Sequence, residues 1–398
     1  MNGRGGVRVT AASSLALAAA VVPVFLLGAL SGQLGEELGV GPAALGVVLT
    51  VFFAAAGIAA VPFGRVTERI GAGAAMRLGV AVSAAVCVAI ALVATSFWQL
   101  VALMAVGGSV VGLIDTGTAR AFAERVHAAH RGLAFGVKEA SVPVASMLAG
   151  VSVPLLALTF GWRAAFAAGA VLAPIVWVAL PPLLAGDGRR SYGRAKRAGP
   201  SLVALAIGVG FGAGAANSGA TFLVPAAAAN GLTVGAAGTL LAVASVASVI
   251  ARVSVGWVVD RTTRPPAGMV AIAMAVGALG GVVLAVNGPL GVVIGAVLLL
   301  GGGWGWTGLA FLAAVRSSPQ APAAAAGVVL TGLAVGGAVG PVLFGSTAAR
   351  WSYGHAWALV AVALALGAGI IASAGARLTG SGSASQRVPT SRLRRAPG

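Results

Sequence analysis

Four charged residues stand at the adjoining ends of two long apolar runs, where charge is costly. Asp115 and Arg120 lie near the end of one run, and Lys138 and Glu139 lie at the start of the next. Ionisable groups in such a setting normally face an aqueous cavity or a charged partner, and they are candidates for linking protonation to ligand binding. The alternative is that the four charges neutralise each other and only hold the helices together.

A second set of candidates is uncharged and lies in two later apolar runs. One run carries an amide and two hydroxyls within about one helical turn, and the other carries two tryptophans and a threonine among glycines. These side chains are candidates for lining a substrate cavity, although tryptophans in such a setting also serve in packing. The candidate residues are Asn217, Ser218, Thr221, Trp304, Trp306 and Thr307.

The elements that hold these residues are predicted to be membrane helices. The chain of 398 residues is 59% hydrophobic and only 8% charged, and its mean hydropathy is +1.01. This composition is too apolar for a soluble protein, and backbone groups in lipid must be paired within helices. Apolar runs of about 20 residues, enough to cross a bilayer, can be placed twelve times. They are 12–32, 43–63, 74–94, 98–119, 134–157, 163–184, 201–225, 234–257, 267–287, 290–314, 323–346 and 355–376.

The distribution of positive charge predicts the topology. The gaps between these runs form two alternating sets, one for each side of the membrane. One set contains only two of the 25 Lys and Arg residues, Arg163 and Arg350. Cytoplasmic loops carry the excess of positive charge, so we expect both termini to be cytoplasmic in a bacterial-type inner or plasma membrane. Anionic lipid headgroups explain the net charge of +17, and no nucleic-acid partner is expected.

The chain divides into two halves. A basic break at 185–200, expected to be a cytoplasmic linker, separates a six-helix unit at 1–184 from another at 201–376. The segment 377–398 is rich in Ser and Arg and is expected to be a disordered cytoplasmic tail.

The two halves also repeat each other in sequence. The group Gly64, Glu68 and Arg69 returns 192 residues later, and further glycines return 194 or 195 residues later. Those glycines are Gly107 and Gly108 with Gly301 and Gly302, Gly132 with Gly327, and Gly150 with Gly345. Parallel repeats of this kind place a site near the membrane midplane between the halves.

The loop between the second and third runs reads GRVTERIG over 64–71, and its repeat reads GWVVDRTTR over 256–264. Both resemble the loop signature Gly-x-x-x-Asp-Arg-x-Gly-Arg-Lys of the major facilitator superfamily, and the span count, central linker and repeat extend the resemblance over about the whole chain. It implies an all-α integral membrane protein with 12 transmembrane helices in two pseudo-symmetric six-helix bundles. It also implies that Glu68 and Asp260 latch a cytoplasmic gate in the outward-facing state.

The sequence departs from that signature at several positions. Glu68 replaces Asp, and Ala72 and Gly73 replace Arg and Lys, so we expect Arg77 to supply the missing cation. In the second half Thr263 replaces the glycine. The alternative is a short turn with charges that only set topology. The expected gate residues are Gly64, Glu68, Arg69, Arg77, Gly256, Asp260, Arg261 and Arg264.

At the outer ends of the runs, four tryptophans are predicted to anchor the protein at the membrane interface, and two glutamates are predicted to be solvated. These residues are Trp98, Trp162, Trp351, Trp357, Glu36 and Glu37.

Enzyme activity is not expected, because the sequence has no nucleophile and base pair, metal-ligand cluster or phosphate-binding loop. No cofactor or metal site is predicted. We expect a monomeric secondary active transporter, surrounded by lipid and coupled to protons, that moves a small solute by alternating access.

The direction of transport is left open. Helix five lacks the glycine before Pro143 that marks many efflux members of the family it resembles. The favoured hypothesis is therefore uptake of a small anion or polar metabolite, with Arg120, Lys138 and Asn217 as contacts. The alternatives are proton-driven efflux of an amphipathic drug-like compound and a membrane sensor that binds a ligand without moving it.

Overall fold

The computed structural model describes residues 3–39, 42–152, 156–180, 198–286 and 288–384, and this part of the chain is helical with short turns and no strand. The N-terminal half comprises α1 (Gly3–Ala29), α2 (Ser31–Leu38), α3 (Pro42–Ile70), α4 (Ala72–Val93), α5 (Phe97–Arg125), α6 (Arg131–Ser152), α7 (Leu158–Phe160), α8 (Trp162–Ala170) and α9 (Leu172–Ala179). The C-terminal half comprises α10 (Pro200–Ala229), α11 (Val234–Arg261), α12 (Pro266–Val286), α13 (Pro289–Ala296), α14 (Thr307–Ser317), α15 (Pro322–Arg350) and α16 (Tyr353–Ala384).

Ten stretches of these helices are long and apolar enough to cross a membrane. The two remaining predicted runs, 134–157 and 163–184, correspond to α6 and to the series α7 to α9. The second of these is broken, and its apolar helical stretch Trp162–Val178 is shorter than the others. The all-helical membrane class is confirmed, whereas the number of twelve transmembrane helices is not.

Two predicted segments are described only in part. Most of the linker at 185–200 lies outside the described residues, as does the chain after Ala384. Helix α16 continues to Ala384 and therefore beyond 376, where the last apolar run was predicted to end.

Successive spans run in opposite directions, so the turns lie at two ends of the molecule. One end carries the turns after α3, α5, α11 and α14, and we call it the basic face. At this end Gly71 adopts a φ of 89°, a conformation that favours glycine and lets α4 follow α3 after a single residue. The opposite end, the outer face, carries Arg163 and Arg350.

Glycines let helices within the C-terminal bundle approach closely. Along the contact between α10 and α15, a Cβ atom on Gly336 would overlap the carbonyl oxygen of Gly210, and one on Gly340 would overlap the backbone of Gly214. These two glycines of α15 therefore serve helix packing.

The two bundles meet along a seam formed by α3 against α15 and by α6 against α11. A Cβ atom on Gly64 would lie 2.9 Å from the carbonyl oxygen of Ala323, and one on Gly136 would overlap the carbonyl oxygen of Arg252. These close approaches lie in the half of the molecule nearer the basic face. The structure is therefore closed at that face.

Candidate functional site

Three charged side chains form one cluster between α5 and α6. Lys138 donates from Nζ to Oδ1 of Asp115 and, at 2.6 Å, to Oε1 of Glu139. All three residues are buried, with 1%, 5% and 7% of the surface of Lys138, Asp115 and Glu139 exposed. The ammonium group also lies 4.6 Å from the centre of the Phe311 ring on α14. The cluster therefore touches the C-terminal bundle at the seam.

Arg252 completes the cluster from the other side of the seam. This α11 side chain is 1% exposed, and its Nη1 donates to the backbone oxygen of Glu139 at 2.6 Å. Its Nε lies 3.4 Å from the backbone oxygen of Trp304, and the guanidinium lies 4.9 Å from the centre of that indole ring. Arg252 was not predicted as a site residue, although it lies inside the predicted run 234–257 just as Asp115 lies inside the run 98–119.

Trp304 lies where the helix that spans 289–317 is interrupted. A π-helical turn over Val297–Gly302 follows α13, and the amide of Gly303 donates to the carbonyl of Leu298 at 2.8 Å. Irregular backbone at membrane depth is tolerated where it is buried in protein or lines a cavity. The interruption brings the Trp304 carbonyl and ring to Arg252.

The other predicted cavity residues of this segment point elsewhere. Trp306 is fully buried, and its ring occupies the space above Gly212, 2.6 Å from where a Cβ atom would stand. Thr307 is also buried. The indole Nε1 and the threonine hydroxyl have no hydrogen-bond partner among the described residues. The surroundings of Trp306 favour packing inside the C-terminal bundle, while Trp304 lies at the seam.

The polar side chains of α10 bond back to their own helix. Asn217 donates to the carbonyl of Ala213 at 2.9 Å, and Ser218 and Thr221 make the same kind of bond one turn back. A Cβ atom on Gly337 would lie 3.4 Å from Nδ2 of Asn217 and 3.6 Å from the ring of Phe53, which belongs to the N-terminal bundle. Asn217 therefore lies at the seam, Thr221 is exposed, and Ser218 is buried.

Near the basic face, each bundle offers a carboxylate to a helix N-terminus of the other. Oε1 of Glu68 accepts a hydrogen bond of 2.9 Å from the amide of Ala323, at the start of α15. Asp260 accepts bonds of 2.8 Å from the amides of Gly132 and Leu133, at the start of α6. The partial positive charge of a helix N-terminus stabilises a carboxylate placed there.

The cation beside Glu68 is Arg120. Its Nη1 lies 3.7 Å from Oε2 of Glu68 and donates to the Glu68 backbone oxygen at 2.7 Å, while its Nε pairs with Glu124 at 2.8 Å. Arg77, expected in this role, instead lies 5.9 Å from the ring centre of Trp177 on α9. It starts one turn into α4, which carries its side chain toward α9.

The remaining gate candidates have simpler surroundings. Arg69, Arg261 and Arg264 are exposed, and the guanidinium of Arg261 lies 3.8 Å from the ring centre of Trp257 on its own helix. Gly256 is buried, and a Cβ atom there would overlap the carbonyl of Gly132 across the seam.

At the outer face Glu37 is exposed, as expected for a solvated side chain, but it also has partners that were not predicted. Its carboxylate accepts hydrogen bonds from Arg163 and from the indole of Trp162, and these bonds lower the pKa of Glu37 below its usual value, Arg163 having the larger effect. Arg163 also donates to the carbonyl of Ala94 at 3.0 Å. This contact ties α2 to α8 and to the end of α4.

Two of the four predicted interface tryptophans are instead buried. Trp162 is 3% exposed and Trp357 is 1% exposed, whereas Trp98 and Trp351 are 73% and 64% exposed. Trp357 packs edge-on against Phe344, with ring centres 4.7 Å apart. Trp357 is buried rather than at the interface because these aromatic neighbours offer its ring an apolar surface inside the protein.

A groove of about 570 Å³ lies between α10, α15 and α16. Its lining is apolar apart from the hydroxyls of Ser218 and Thr331 and includes Phe211, Leu343 and Phe344. The four charged residues of the seam do not line it. The groove and the charge cluster are therefore separate features.

Comparisons with known proteins agree with this architecture. The chain superposes on the E. coli fucose:proton symporter FucP with a TM-score of 0.70 at 13% identity, covering 93% of this chain and 99% of that one. The proton:xylose symporter XylE bound to 6-bromo-6-deoxy-D-glucose gives 0.75 at 15% identity, with 94% and 96% covered. The human organic anion transporter MFSD10 (TETRAN) gives 0.73 at 14% identity, with 93% and 100% covered.

At these identities the superpositions show the fold alone. A search of curated proteins gives no match. The family model of the Major Facilitator Superfamily matches residues 11–341, which is most of the chain and includes Glu68, Asp260 and the buried charge cluster. The protein is therefore a multi-pass membrane protein that belongs to the Major Facilitator Superfamily, a family of transporters and not of enzymes.

Proposed function

We propose that the protein is a proton-coupled secondary transporter that moves a small solute by alternating access. The observation that carries this proposal is the contact of Lys138 with Asp115 and Glu139, all buried beside the seam. Ionisable groups inside a membrane are rare and mark ion or substrate pathways. Protonation of either carboxylate changes the charge at the seam, and through it the relative stability of the closed and open states.

The basic face is the cytoplasmic face in this proposal, and the protein resides in an inner or plasma membrane with both termini in the cytoplasm. The excess of Arg and Lys at that face supports the orientation. Glu68 and Asp260 act as latches, because their bonds to Ala323 and to Gly132 and Leu133 exist only while the bundles touch there. The described state then has its cytoplasmic gate shut.

The substrate is a small anion or polar metabolite, which binds from outside while the carrier faces outward. The carrier works as a monomer. Lys138 is a cation at the seam, and Asn217 is an amide at a different part of the seam, where α10 meets α15 and α3. Arg120 holds Glu68 and Glu124, which favours a role in the gate over substrate contact. The partly exposed ring of Trp304 is the aromatic wall that the arrangement offers.

Flux measured in proteoliposomes tests the proposal. Purified protein is reconstituted, a pH gradient is imposed, and uptake from a pooled library of metabolites and drugs is compared for the wild type, Asp115→Asn and Glu139→Gln. We expect the wild type to concentrate at least one compound and each variant to lose the pH-driven accumulation while exchange continues. Glu36→Gln is the matched control, because Glu36 is an exposed carboxylate on the outer face. Accumulation that remains pH-driven in both test variants would refute coupling through these carboxylates.

Proton-driven efflux of an amphipathic compound is the second candidate, and the groove between α10, α15 and α16 favours it. A groove of about 570 Å³ with an almost wholly apolar lining suits the apolar body of such a compound. The direction of the proton gradient that drives accumulation separates the two candidates. A ligand that binds to the protein but never crosses the liposome membrane would instead indicate a sensor.

A further inference from the structure

The charges at the seam are divided between the two bundles. Asp115, Lys138 and Glu139 belong to the N-terminal bundle and together carry one net negative charge when ionised. Arg252 belongs to the C-terminal bundle and carries one positive charge. With Arg252 bonded to the Glu139 carbonyl at 2.6 Å, the four buried side chains are neutral as a set.

The set is isolated from the other charges of the neighbouring elements. Arg120 pairs with Glu124 and Glu68, and Asp260 binds the start of α6. Further charged groups on the elements that pack around the set lie toward the basic face. They are Arg8, Arg65, Arg69, Arg77, Arg125, His130, Arg131, Arg261 and Arg316, whereas Arg350 lies at the outer face.

Arg252 retains hydrogen-bonding capacity in the closed state. Its donors Nη1 and Nε face the carbonyls of Glu139 and Trp304, and the second of these contacts is long, at 3.4 Å. Nη2 has no partner among the described residues. A guanidinium binds a carboxylate through two parallel hydrogen bonds, and the Trp304 ring beside it offers an apolar face for the rest of an organic anion.

We propose that Arg252 binds the carboxylate of a monovalent organic anion, and that the anion moves together with one proton held by the Asp115 and Glu139 pair. This inference rests on the proposed transport function and assigns its substrate class and stoichiometry. An anion added to a neutral buried set leaves one uncompensated negative charge, which a low-dielectric interior strongly disfavours. One proton taken from water by the carboxylate pair restores neutrality, and it returns to water when the anion leaves.

The cycle then moves no net charge across the membrane. Anion binding and proton binding each make the other more favourable, and the coupling is reciprocal. The affinity for the anion therefore rises as the pH falls. The pair takes up the proton as a unit, because Lys138 bonds to both carboxylates.

The test uses the full-length protein in proteoliposomes with a pool of radiolabelled monocarboxylates, among them lactate, pyruvate and benzoate, and with nitrate as an inorganic probe. Proton entry is followed with a trapped pH dye, and the membrane potential is set with potassium and valinomycin. We expect one proton per carboxylate and a flux that does not change with the imposed potential. Arg252→Gln should lower monocarboxylate uptake by about thirtyfold or more, because the buried substrate carboxylate loses the guanidinium that pairs with it.

Matched variants separate a binding role from a structural one. Arg252→Lys keeps the charge without the two-pronged geometry, so it should transport with a raised KM and an unchanged proton ratio. Arg350→Gln removes an exposed arginine at the outer face and should transport as the wild type does. The number of protons that enter with each carboxylate is measured on the wild-type protein, so this part of the test stands even if Arg252→Gln fails to fold.

The outcomes distinguish this inference from the function on which it rests. Proton-driven flux that carries net charge, that excludes every monocarboxylate, or that survives unchanged in Arg252→Gln overturns the role of Arg252 and leaves proton-coupled transport standing. If nitrate is transported and none of the monocarboxylates is, Arg252 binds an inorganic anion, and the assignment of an organic carboxylate as substrate is overturned. If no compound moves with protons, the proposed function fails first.

Discussion

Asp260 binds two amides of the opposite bundle, whereas Glu68 binds one. Both oxygens of Asp260 accept bonds of 2.8 Å from Gly132 and Leu133, and one oxygen of Glu68 accepts a bond of 2.9 Å from Ala323. The two carboxylates occupy equivalent positions in the sequence repeat. Each faces the N-terminus of a helix in the opposite bundle, α15 for Glu68 and α6 for Asp260. The basic face is thus closed by two related contacts, with two amide hydrogen bonds of 2.8 Å at Asp260 and one of 2.9 Å at Glu68.

Asp260→Asn is expected to open the basic face more than Glu68→Gln. An amide keeps part of the hydrogen bonding but loses the charge that a helix N-terminus stabilises by up to about 2 kcal/mol. The loss of this stabilisation is larger at Asp260, because its carboxylate accepts bonds from two amides. The distance across the basic face can be measured by electron spin resonance between labels on Arg65→Cys and Gln320→Cys, two exposed positions in different bundles.

The labelling is clean because the natural cysteine, Cys87, is the only one in the chain and is buried. The control is Glu36→Gln, which removes a carboxylate at the other face. An unchanged distance distribution in Asp260→Asn would show that the seam closes without this contact.

Three members of the buried cluster could be predicted from sequence alone. Asp115, Lys138 and Glu139 are charges inside apolar runs, and such charges need partners. Arg252 satisfies the same criterion, yet it sits near enough to the basic end of its run to be taken for a topogenic cation. The partnership itself could not be predicted, because Arg252 and Glu139 are brought together only when the two bundles pack.

The departures from prediction have a common physical origin in side-chain direction. The spacing of Arg77 from Glu68 suggested an ion pair, but α4 turns away after Gly71 and carries Arg77 to Trp177. Glu37 lies in an external loop, but the short helix α2 presents it to Arg163 and Trp162. Periodicity predicts where helices lie and not which way their ends face, so these contacts required the folded structure.

Two glycine substitutions should have different consequences. A Cβ atom on Gly132 would overlap Val259 across the seam, so Gly132→Ala should favour the open state of the basic face. A Cβ atom on Gly336 would overlap Gly210 within one bundle, so Gly336→Ala should lower stability, by about 1 to 3 kcal/mol for a strained overpacked contact. Thermal unfolding in detergent measures the second effect, and the label distance across the basic face measures the first.

Gly369→Ala is the control for both, because a Cβ atom there meets nothing within 4 Å. Equal losses of stability in all three variants would indicate a general helix effect and contradict the distinction.

The contact between Glu37 and Arg163 should stabilise the protein at neutral pH and not in acid. The pKa of Glu37 in the folded protein lies below its usual value of 4.5, so the stabilisation is present above that value and is lost as the pH falls through the lowered pKa. Both side chains are substantially exposed, at 46% and 35%, so Glu37→Gln should cost less than about 1 kcal/mol. Melting temperatures of the wild type and the variant at pH 7 and pH 3 measure the effect, and an equal difference at both values would contradict it.

Lys138→Met should be the most destabilising single change in the cluster, and a second change should rescue it. Without Lys138, the buried carboxylates of Asp115 and Glu139 lose the ammonium group that bonds to both. Removing one partner of a buried ion pair costs about 3 to 5 kcal/mol, because the remaining charge is left uncompensated. Adding Asp115→Asn or Glu139→Gln removes one of the stranded charges, so each double variant should unfold at a higher temperature than Lys138→Met alone. Thermal unfolding of the single and double variants measures the coupling, and strictly additive losses would mean that the three side chains do not act as one charged unit.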